Sequence, residues 1–178
     1  MAFLRWFGAA LALIIAASMA HAQLDGLKIG NGQATTIVIL HGDQSSGGDP
    51  GYLFGFGLEV ARRLPNAMVH MLLRPGYCDE WGRQSLGDNF DRHDQYTLAN
   101  AELILASLRK MKGESKLILV GHSGGAAQTA LALSLDASLI DEAILVGCQC
   151  DLALWQELNP QWPADMFTRS VSALATFV

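Results

Sequence analysis

The chain has 178 residues, of which 51% are hydrophobic and 16% charged, and its formal net charge is −5. This length fits one domain, and the balance of hydrophobic and charged residues excludes an intrinsically disordered chain. The acidic net charge, together with the lack of an extended basic cluster, argues against a nucleic-acid partner.

The first 22 residues predict an export signal outside the folded domain. Arg5 precedes an apolar run over residues 6–17, which is too short for an ordinary transmembrane helix. Ala20-His21-Ala22 has the small-residue pattern of a signal-peptidase site, so the mature domain is expected to span residues 23–178. This cleavage predicts a secreted or periplasmic protein with no stable membrane span. An uncleaved membrane anchor is the alternative.

The remaining sequence alternates between predicted strands and helices. Strands are predicted at residues 27–29, 35–40, 67–73, 116–120 and 143–146. Helices are predicted at residues 52–64, 98–111 and 124–135, with a long irregular segment at 74–97. This order predicts an α/β domain, a three-layer sandwich around a mostly parallel sheet. A dinucleotide-binding sheet is disfavoured, because the first strong strand is not followed by G-x-G-x-x-G.

The pentapeptide Gly121-His122-Ser123-Gly124-Gly125 matches the pattern G-x-S-x-G. A predicted strand ends just before it and a predicted helix begins just after it, which is the context of a nucleophile elbow. Such a turn holds the serine hydroxyl toward a base, and its glycines let neighbouring backbone pass closely. Ser123 is therefore the candidate nucleophile. A Gly-rich turn without chemistry is the alternative.

A second signal is His41-Gly42, which follows the strand predicted at residues 35–40. Hydrolases of this architecture place one oxyanion donor in the loop at that point and the other directly after the nucleophile. By that logic the backbone N–H groups of Asp43 and Gly124 form the oxyanion hole, and each donor is typically worth about 3 kcal/mol. For His41-Gly42 alone, a strand-terminating turn is the alternative.

At these residues the chain resembles the α/β-hydrolase superfamily. Residues 37–42 resemble its oxyanion strand and loop, residues 117–125 its nucleophile strand and elbow, and residues 74–77 a segment found in many members. Small secreted hydrolases of the prolyl-oligopeptidase-like or lipase-like branch are the most similar. The resemblance implies hydrolysis of a small-molecule ester, amide or peptide through an acyl-enzyme on Ser123, with no cofactor and no metal.

The chain departs from the superfamily's order of nucleophile, then acid, then histidine. None of its five histidines follows Ser123. Asp151, after the last predicted strand, is the candidate acid, and Asp165 is the alternative. Without a general base, Ser123 would keep the weak nucleophilicity of an ordinary hydroxyl.

Three alternative explanations account for the lack of a histidine after Ser123. The first is a C-terminal truncation, since the fold would otherwise lack its last strands. The strand at residues 143–146 would then be an uncovered apolar edge. Four aromatic residues after that strand would also need something to pack on: Trp155, Trp162, Phe167 and Phe177.

The second explanation is an upstream histidine acting as the base. His93 lies in the long loop between two acidic residues, although an ordinary surface position is favoured. His122 is expected to point away from the site and pack, and His70 to occupy the core or a sheet face. The third explanation is a catalytically inactive α/β-hydrolase-like binding domain.

The chain has three cysteines, Cys78, Cys148 and Cys150. Export predicts one disulfide and one remaining thiol. Cys148 and Cys150 are expected to be too close in sequence for a relaxed bridge, so Cys78 is expected to pair with one of them. Buried unpaired cysteines are one alternative, and a metal site is a weaker one.

Overall fold

A computed structural model describes residues 24–45, 47–93, 95–162, 167 and 169–171. The strands are β1 (Gly26–Ile29), β2 (Thr35–Leu40), β3 (Ala67–Leu72), β4 (Lys116–His122) and β5 (Glu142–Val146). The helices are α1 (Phe54–Arg63), α2 (Leu98–Lys112), α3 (Gly124–Leu135) and α4 (Leu152–Leu158). The predicted export signal lies outside the described residues. Within them, no helix is both long and apolar enough to cross a membrane.

The five strands form one sheet in the order β1-β3-β2-β4-β5. β2 runs parallel to β3 and to β4, and β4 runs parallel to β5, whereas β1 pairs with β3 in the antiparallel direction. The predicted mostly parallel sheet is confirmed. Leu40 at the end of β2 pairs with Gly121 near the end of β4, so the loops that follow these two strands emerge side by side.

Alternation along the central strands divides the core between the two faces of the sheet. On one face the strand side chains pack against α2 and α3 through Val38, Leu40, Leu117, Leu119, Ile104, Leu108 and Ala132. On the other face they pack against α1 and the residues beside it through Ile37, Ile39, Val69, Met71, Phe54 and Val60. Because both faces are covered, the central strands are continuously apolar, and the predicted three-layer sandwich is confirmed.

The segment between β2 and β3 differs from its prediction at the start of the helix. A 3-10 turn over Pro50–Leu53 precedes α1, where the sequence predicted one helix from residue 52. The Asp49 side chain accepts a hydrogen bond from the N–H of Gly51, and proline favours the first turn of a helix. This turn places Tyr52 beside the carboxyl ends of β2 and β4.

β5 forms the edge of the sheet in the part of the chain that the structure describes. Ile144, Leu145 and Val146 are 50%, 40% and 48% exposed, so this strand is the apolar edge that the sequence predicted. α4, which the sequence analysis did not predict, follows it. The Trp155 ring contacts those of Trp162 and Phe167 at centroid distances of 5.9 and 5.6 Å, so these aromatic residues pack on one another. Phe177 lies outside the described residues.

The predicted disulfide pairing is wrong. Cys148 is bonded to Cys150, and Cys78 is unpaired and exposed. An extended chain would separate the Cα atoms of residues i and i+2 by about 7 Å, but here the chain bends and the separation is 5.2 Å. That distance falls within the ordinary range for disulfides, so closeness in sequence does not prevent the bridge.

Candidate active site

Ser123 lies in the turn between β4 and α3 with a strained backbone. Its φ is 53° and its ψ is −121°, values that non-glycine residues seldom adopt. The Ser123 N–H donates to the carbonyl of Val146 at 2.7 Å, and the Ser123 carbonyl accepts from the N–H of Ala126 at 2.8 Å. Hydrogen bonds on both sides hold this conformation, and such strain is concentrated at functional sites.

The glycines around Ser123 lie against other backbone atoms. A Cβ atom on Gly121 would be 2.4 Å from the carbonyl oxygen of Gly125. A Cβ atom on Gly125 would be 2.4 Å from the carbonyl oxygens of both Leu40 and His41. Any side chain at either position would therefore push backbone apart. Gly121 lets β4 lie close to α3, and Gly125 lets α3 lie close to the end of β2.

The loop after β2 reaches the turn that carries Ser123. A Cβ atom on Gly42 would be 3.0 Å from the Cβ atom of Ser123. Among the described residues, the N–H groups of Asp43 and Gly124 have no hydrogen-bond acceptor. Gly124 is also the first residue of α3, where the helix dipole favours negative charge. Two backbone donors in this setting suit a developing oxyanion.

His41 is a buried structural residue of this loop. Its Nε2 accepts from the backbone N–H of Arg74 at 3.0 Å, so its Nδ1 carries the proton and donates to the carbonyl of Gly42 at 2.7 Å. Burial, reinforced by the positive charge of Arg74, lowers the pKa of His41 to about 3. With both nitrogens engaged, the ring shapes the loop and cannot serve as a base for Ser123.

The depressed pKa of His41 predicts a loss of stability in acid. The unfolded state binds this proton below its ordinary pKa of 6.5, whereas the folded state excludes it down to about 3. The contribution of His41 to the unfolding free energy is therefore complete above pH 6.5 and falls by up to about 1.4 kcal/mol per pH unit as the pH drops through this window. Denaturant unfolding at several pH values gives the slope of the unfolding free energy against pH for the wild type and for His41→Gln. Equal slopes would contradict the prediction.

Arg74 forms a charged network behind the loop. Its side chain is fully buried, and its Nη2 donates to Asp43 Oδ1 at 2.7 Å and also to Gln95 Oε1. Its Nη1 donates to the carbonyl of His41 at 3.2 Å. The hydroxyl of Tyr96 donates to the other oxygen of Asp43, and burial together with the charge of Asp43 raises the pKa of Tyr96 well above its ordinary value. The Asp43 carboxylate is thus held on both oxygens.

The Asp43 carboxylate packs against Gly124. A Cβ atom on Gly124 would be 2.2 Å from Asp43 Oδ1 and 2.6 Å from Arg74 Nη1. The two residues that are predicted to supply the oxyanion donors are therefore in direct contact, through the side chain of Asp43. No local sequence pattern predicts that Arg74 makes this contact, although Arg74 belongs to the segment at residues 74–77 that resembles the family.

The expectation for His122 needs correction. The elbow geometry predicts a ring that points away from the site and packs, but Nδ1 of His122 lies 2.7 Å from the hydroxyl of Tyr52. A Cβ atom on Gly42 would be 3.2 Å from the same Nδ1, so the ring faces the loop. The polar partner comes from the 3-10 turn before α1, 70 residues away in sequence, and no local pattern reveals it.

The other candidate acids and histidines have the following surroundings. Asp151 caps α4, with Oδ1 accepting from the N–H of Leu154 at 3.1 Å, and Asp165 lies outside the described residues. His93 is exposed and its Nδ1 contacts the carbonyl of Asp91, while His70 is half-buried on β3. In the described part of the chain, no group of three or more His, Cys, Asp or Glu side chains is arranged to hold a metal ion.

Sequence comparison identifies the family of this domain. A profile of the alpha/beta hydrolase family matches residues 37–178, which is well over half of the chain. The chain belongs to the alpha/beta hydrolase family. The predicted α/β-hydrolase fold is confirmed with it, and β2, β4 and the turn at Ser123 all lie within the matched region. No curated protein gives a significant match to this α/β-hydrolase.

Solved structures resemble the α/β-hydrolase chain over part of their length. Protein Atu2452 of unknown function from Agrobacterium tumefaciens str. C58 is 23% identical with a TM-score of 0.50, covering 71% of this chain and 61% of that one. Esterase PE8 is 25% identical with a TM-score of 0.45, covering 62% and 57%. An esterase from Pyrobaculum calidifontis is 14% identical with a TM-score of 0.47, covering 92% and 59%. The chain spans about three fifths of the length of each of these proteins.

Proposed function

We propose that this α/β-hydrolase is a serine hydrolase that cleaves an ester, amide or peptide bond in a small molecule. The observation that carries the proposal is the strained backbone of Ser123 at the start of α3, directly beside the loop that holds Asp43. A serine in this conformation presents its hydroxyl to a carbonyl carbon, and two backbone N–H groups with no acceptor in the described part of the chain flank it.

The proposed reaction forms and then hydrolyses an acyl-enzyme. Ser123 Oγ bonds to the substrate carbonyl carbon while its proton passes to a general base, and the carbonyl oxygen becomes an oxyanion that accepts from the N–H groups of Asp43 and Gly124. The tetrahedral intermediate collapses, and the alcohol or amine leaves with the proton. Water then repeats these steps on the ester and regenerates Ser123. Asp151 remains the candidate acid, and the family's order assigns the base to a histidine after it.

A serine-directed fluorophosphonate probe tests the nucleophile. We expect the protein produced in its own cells to be labelled and Ser123→Ala produced there to lose all labelling, because the probe bonds only to an activated serine oxygen. Ser138→Ala is the control, since Ser138 is exposed and bonds to Asp136 in a surface turn. Labelling that persists in Ser123→Ala would exclude this nucleophile. A folded wild type that is never labelled would favour the catalytically inactive binding domain.

We also propose that residues 1–22 direct export and are removed. The disulfide between Cys148 and Cys150 supports an oxidising compartment, where such bonds persist. The intact mass of the protein isolated from its own cells tests the proposal, since cleavage predicts a chain that begins at Gln23. A mass that includes Met1 would contradict cleavage. A mass above that of residues 23–178 would support the expectation of further sequence after Val178.

A further inference from the structure

We propose that Tyr52 is a positioning residue that ties the loop after β2 to the turn that carries Ser123. The Tyr52 hydroxyl accepts from the N–H of Gly42 at 2.7 Å and lies 2.7 Å from Nδ1 of His122. Gly42 directly precedes one predicted oxyanion donor, and His122 directly precedes Ser123. A single hydroxyl therefore bridges the two segments that supply the donors. This inference rests on the proposed function.

Three groups converge at the position of Gly42. A Cβ atom there would be 2.9 Å from the Tyr52 hydroxyl, 3.0 Å from the Cβ atom of Ser123 and 3.2 Å from Nδ1 of His122. The bridge is thus beside the nucleophile. Because glycine has no side chain to fix its own place, the Gly42 peptide depends on partners outside the loop.

The Tyr52 hydroxyl can bond to both partners at once. The Gly42 N–H occupies one lone pair of the Tyr52 oxygen, which leaves its O–H and its second lone pair to pair with Nδ1 of His122 in either tautomer. Burial raises the pKa of Tyr52 above its ordinary value, so the hydroxyl keeps its proton at neutral pH. The two rings also meet edge to face, with centroids 5.8 Å apart and planes inclined by 72°.

The loop after β2 is held by a second hydrogen bond, from Arg74, in addition to the one with Tyr52. The buried Arg74 side chain donates to the carbonyl of His41, whereas the Tyr52 hydroxyl accepts from the N–H of the next residue, Gly42. An oxyanion donor acts only when it lies about 3 Å from the oxygen in the transition state, and a displacement of about 1 Å costs about 100-fold in rate. Loss of the Tyr52 hydroxyl should therefore impair the chemical step more than substrate binding.

The test is Tyr52→Phe, which removes one oxygen and keeps the ring. With p-nitrophenyl acetate as the probe substrate, we expect kcat to fall about 10- to 100-fold while KM changes less than about twofold. His122→Ala should give a similar fall, and the double variant should be no slower than the slower single variant, because both substitutions break the same bridge. Phe56→Ala is the control, since Phe56 is 50% exposed on neighbouring α1 and should leave both constants unchanged.

The outcomes separate this inference from the proposed function. An active wild type with an inactive Ser123→Ala and a kcat-specific loss in Tyr52→Phe supports both. If the wild type is active and Tyr52→Phe keeps its kcat within about twofold, or if the losses of the two single variants multiply, the bridge is overturned while the hydrolase stands. A wild type that neither hydrolyses the ester nor takes the fluorophosphonate label overturns the hydrolase and the bridge together. If Tyr52→Phe fails to fold, His122→Ala alone decides by the same split between kcat and KM.

Discussion

Asp43→Ala should lower the free energy of unfolding by about 3–5 kcal/mol, because it leaves a buried guanidinium without its counter-charge. The Arg74 side chain is fully buried, and Asp43, which is 18% exposed, is its salt-bridge partner at 2.7 Å. Its other hydrogen-bond acceptors among the described residues are the His41 carbonyl and the Gln95 amide, which are neutral. Neutral acceptors do not replace a carboxylate in a desolvated site. Denaturant unfolding at pH 7 measures the loss.

A double variant shows whether the unpaired charge causes this loss. Arg74→Met in the Asp43→Ala background removes the buried charge and keeps an apolar side chain of similar length, so it should recover part of the lost stability. Asp136→Ala is the matched control, because its salt bridge with Arg109 is at the surface, where ion pairs contribute little. If the double variant is less stable than Asp43→Ala, the packing of Arg74 matters more than its charge, and the prediction is wrong.

The central fold was predictable because its signals are local. Residues 35–40 and 116–120 are short apolar runs that end at glycine-containing turns, and they became the central strands β2 and β4. The helix predicted at residues 124–135 has the predicted bounds, since it begins at the turn of the G-x-S-x-G pattern. In an alternating chain these signals also predict parallel strands. That the loops after β2 and β4 share one site was expected from the oxyanion hole of hydrolases of this architecture.

The partners of those loops were not predictable, because they come from distant parts of the chain. Tyr52 reaches His122 across 70 residues, and Arg74 reaches Asp43 across 31. An arginine after a strand normally predicts a solvated side chain, and only the folded chain shows that Arg74 is buried against an acid. The disulfide was mispredicted for a related reason. A bend between Cys148 and Cys150 shortens their separation, and sequence distance alone does not reveal it.

The base for Ser123 is another feature that local sequence patterns do not reveal. Among the described histidines, His41 is locked by two hydrogen bonds and His122 is engaged with Tyr52. His70 and His93 lie on β3 and in the long loop, respectively. The turn and the loop around Ser123 can thus be formed without the residue that activates the nucleophile. Fluorophosphonate labelling of the protein from its own cells therefore tests the nucleophile whichever residue is the base.

Gly125→Ala should destabilise the fold by about 3 kcal/mol, at the upper end of the range for over-packing. Its new Cβ atom would lie 2.4 Å from the carbonyl oxygens of both Leu40 and His41, and neither can move as the end of a flexible side chain would. The higher helix propensity of alanine offsets only about 1 kcal/mol of this cost. Relief of the clash would move α3 away from the end of β2, so fluorophosphonate labelling of Ser123 should also fall.

Gly55→Ala is the matched control, because it adds the same methyl group to a helix where nothing lies within 4 Å of the new atom. Gly55 is exposed on α1, so the substitution should gain up to about 1 kcal/mol from helix propensity and leave labelling unchanged. Denaturant unfolding measures the change in unfolding free energy for each substitution. A loss for Gly125→Ala and a gain for Gly55→Ala would show that the contact with the end of β2 determines the effect. If Gly125→Ala were as stable as Gly55→Ala, α3 could not lie as close to Leu40 and His41 as the structure places it.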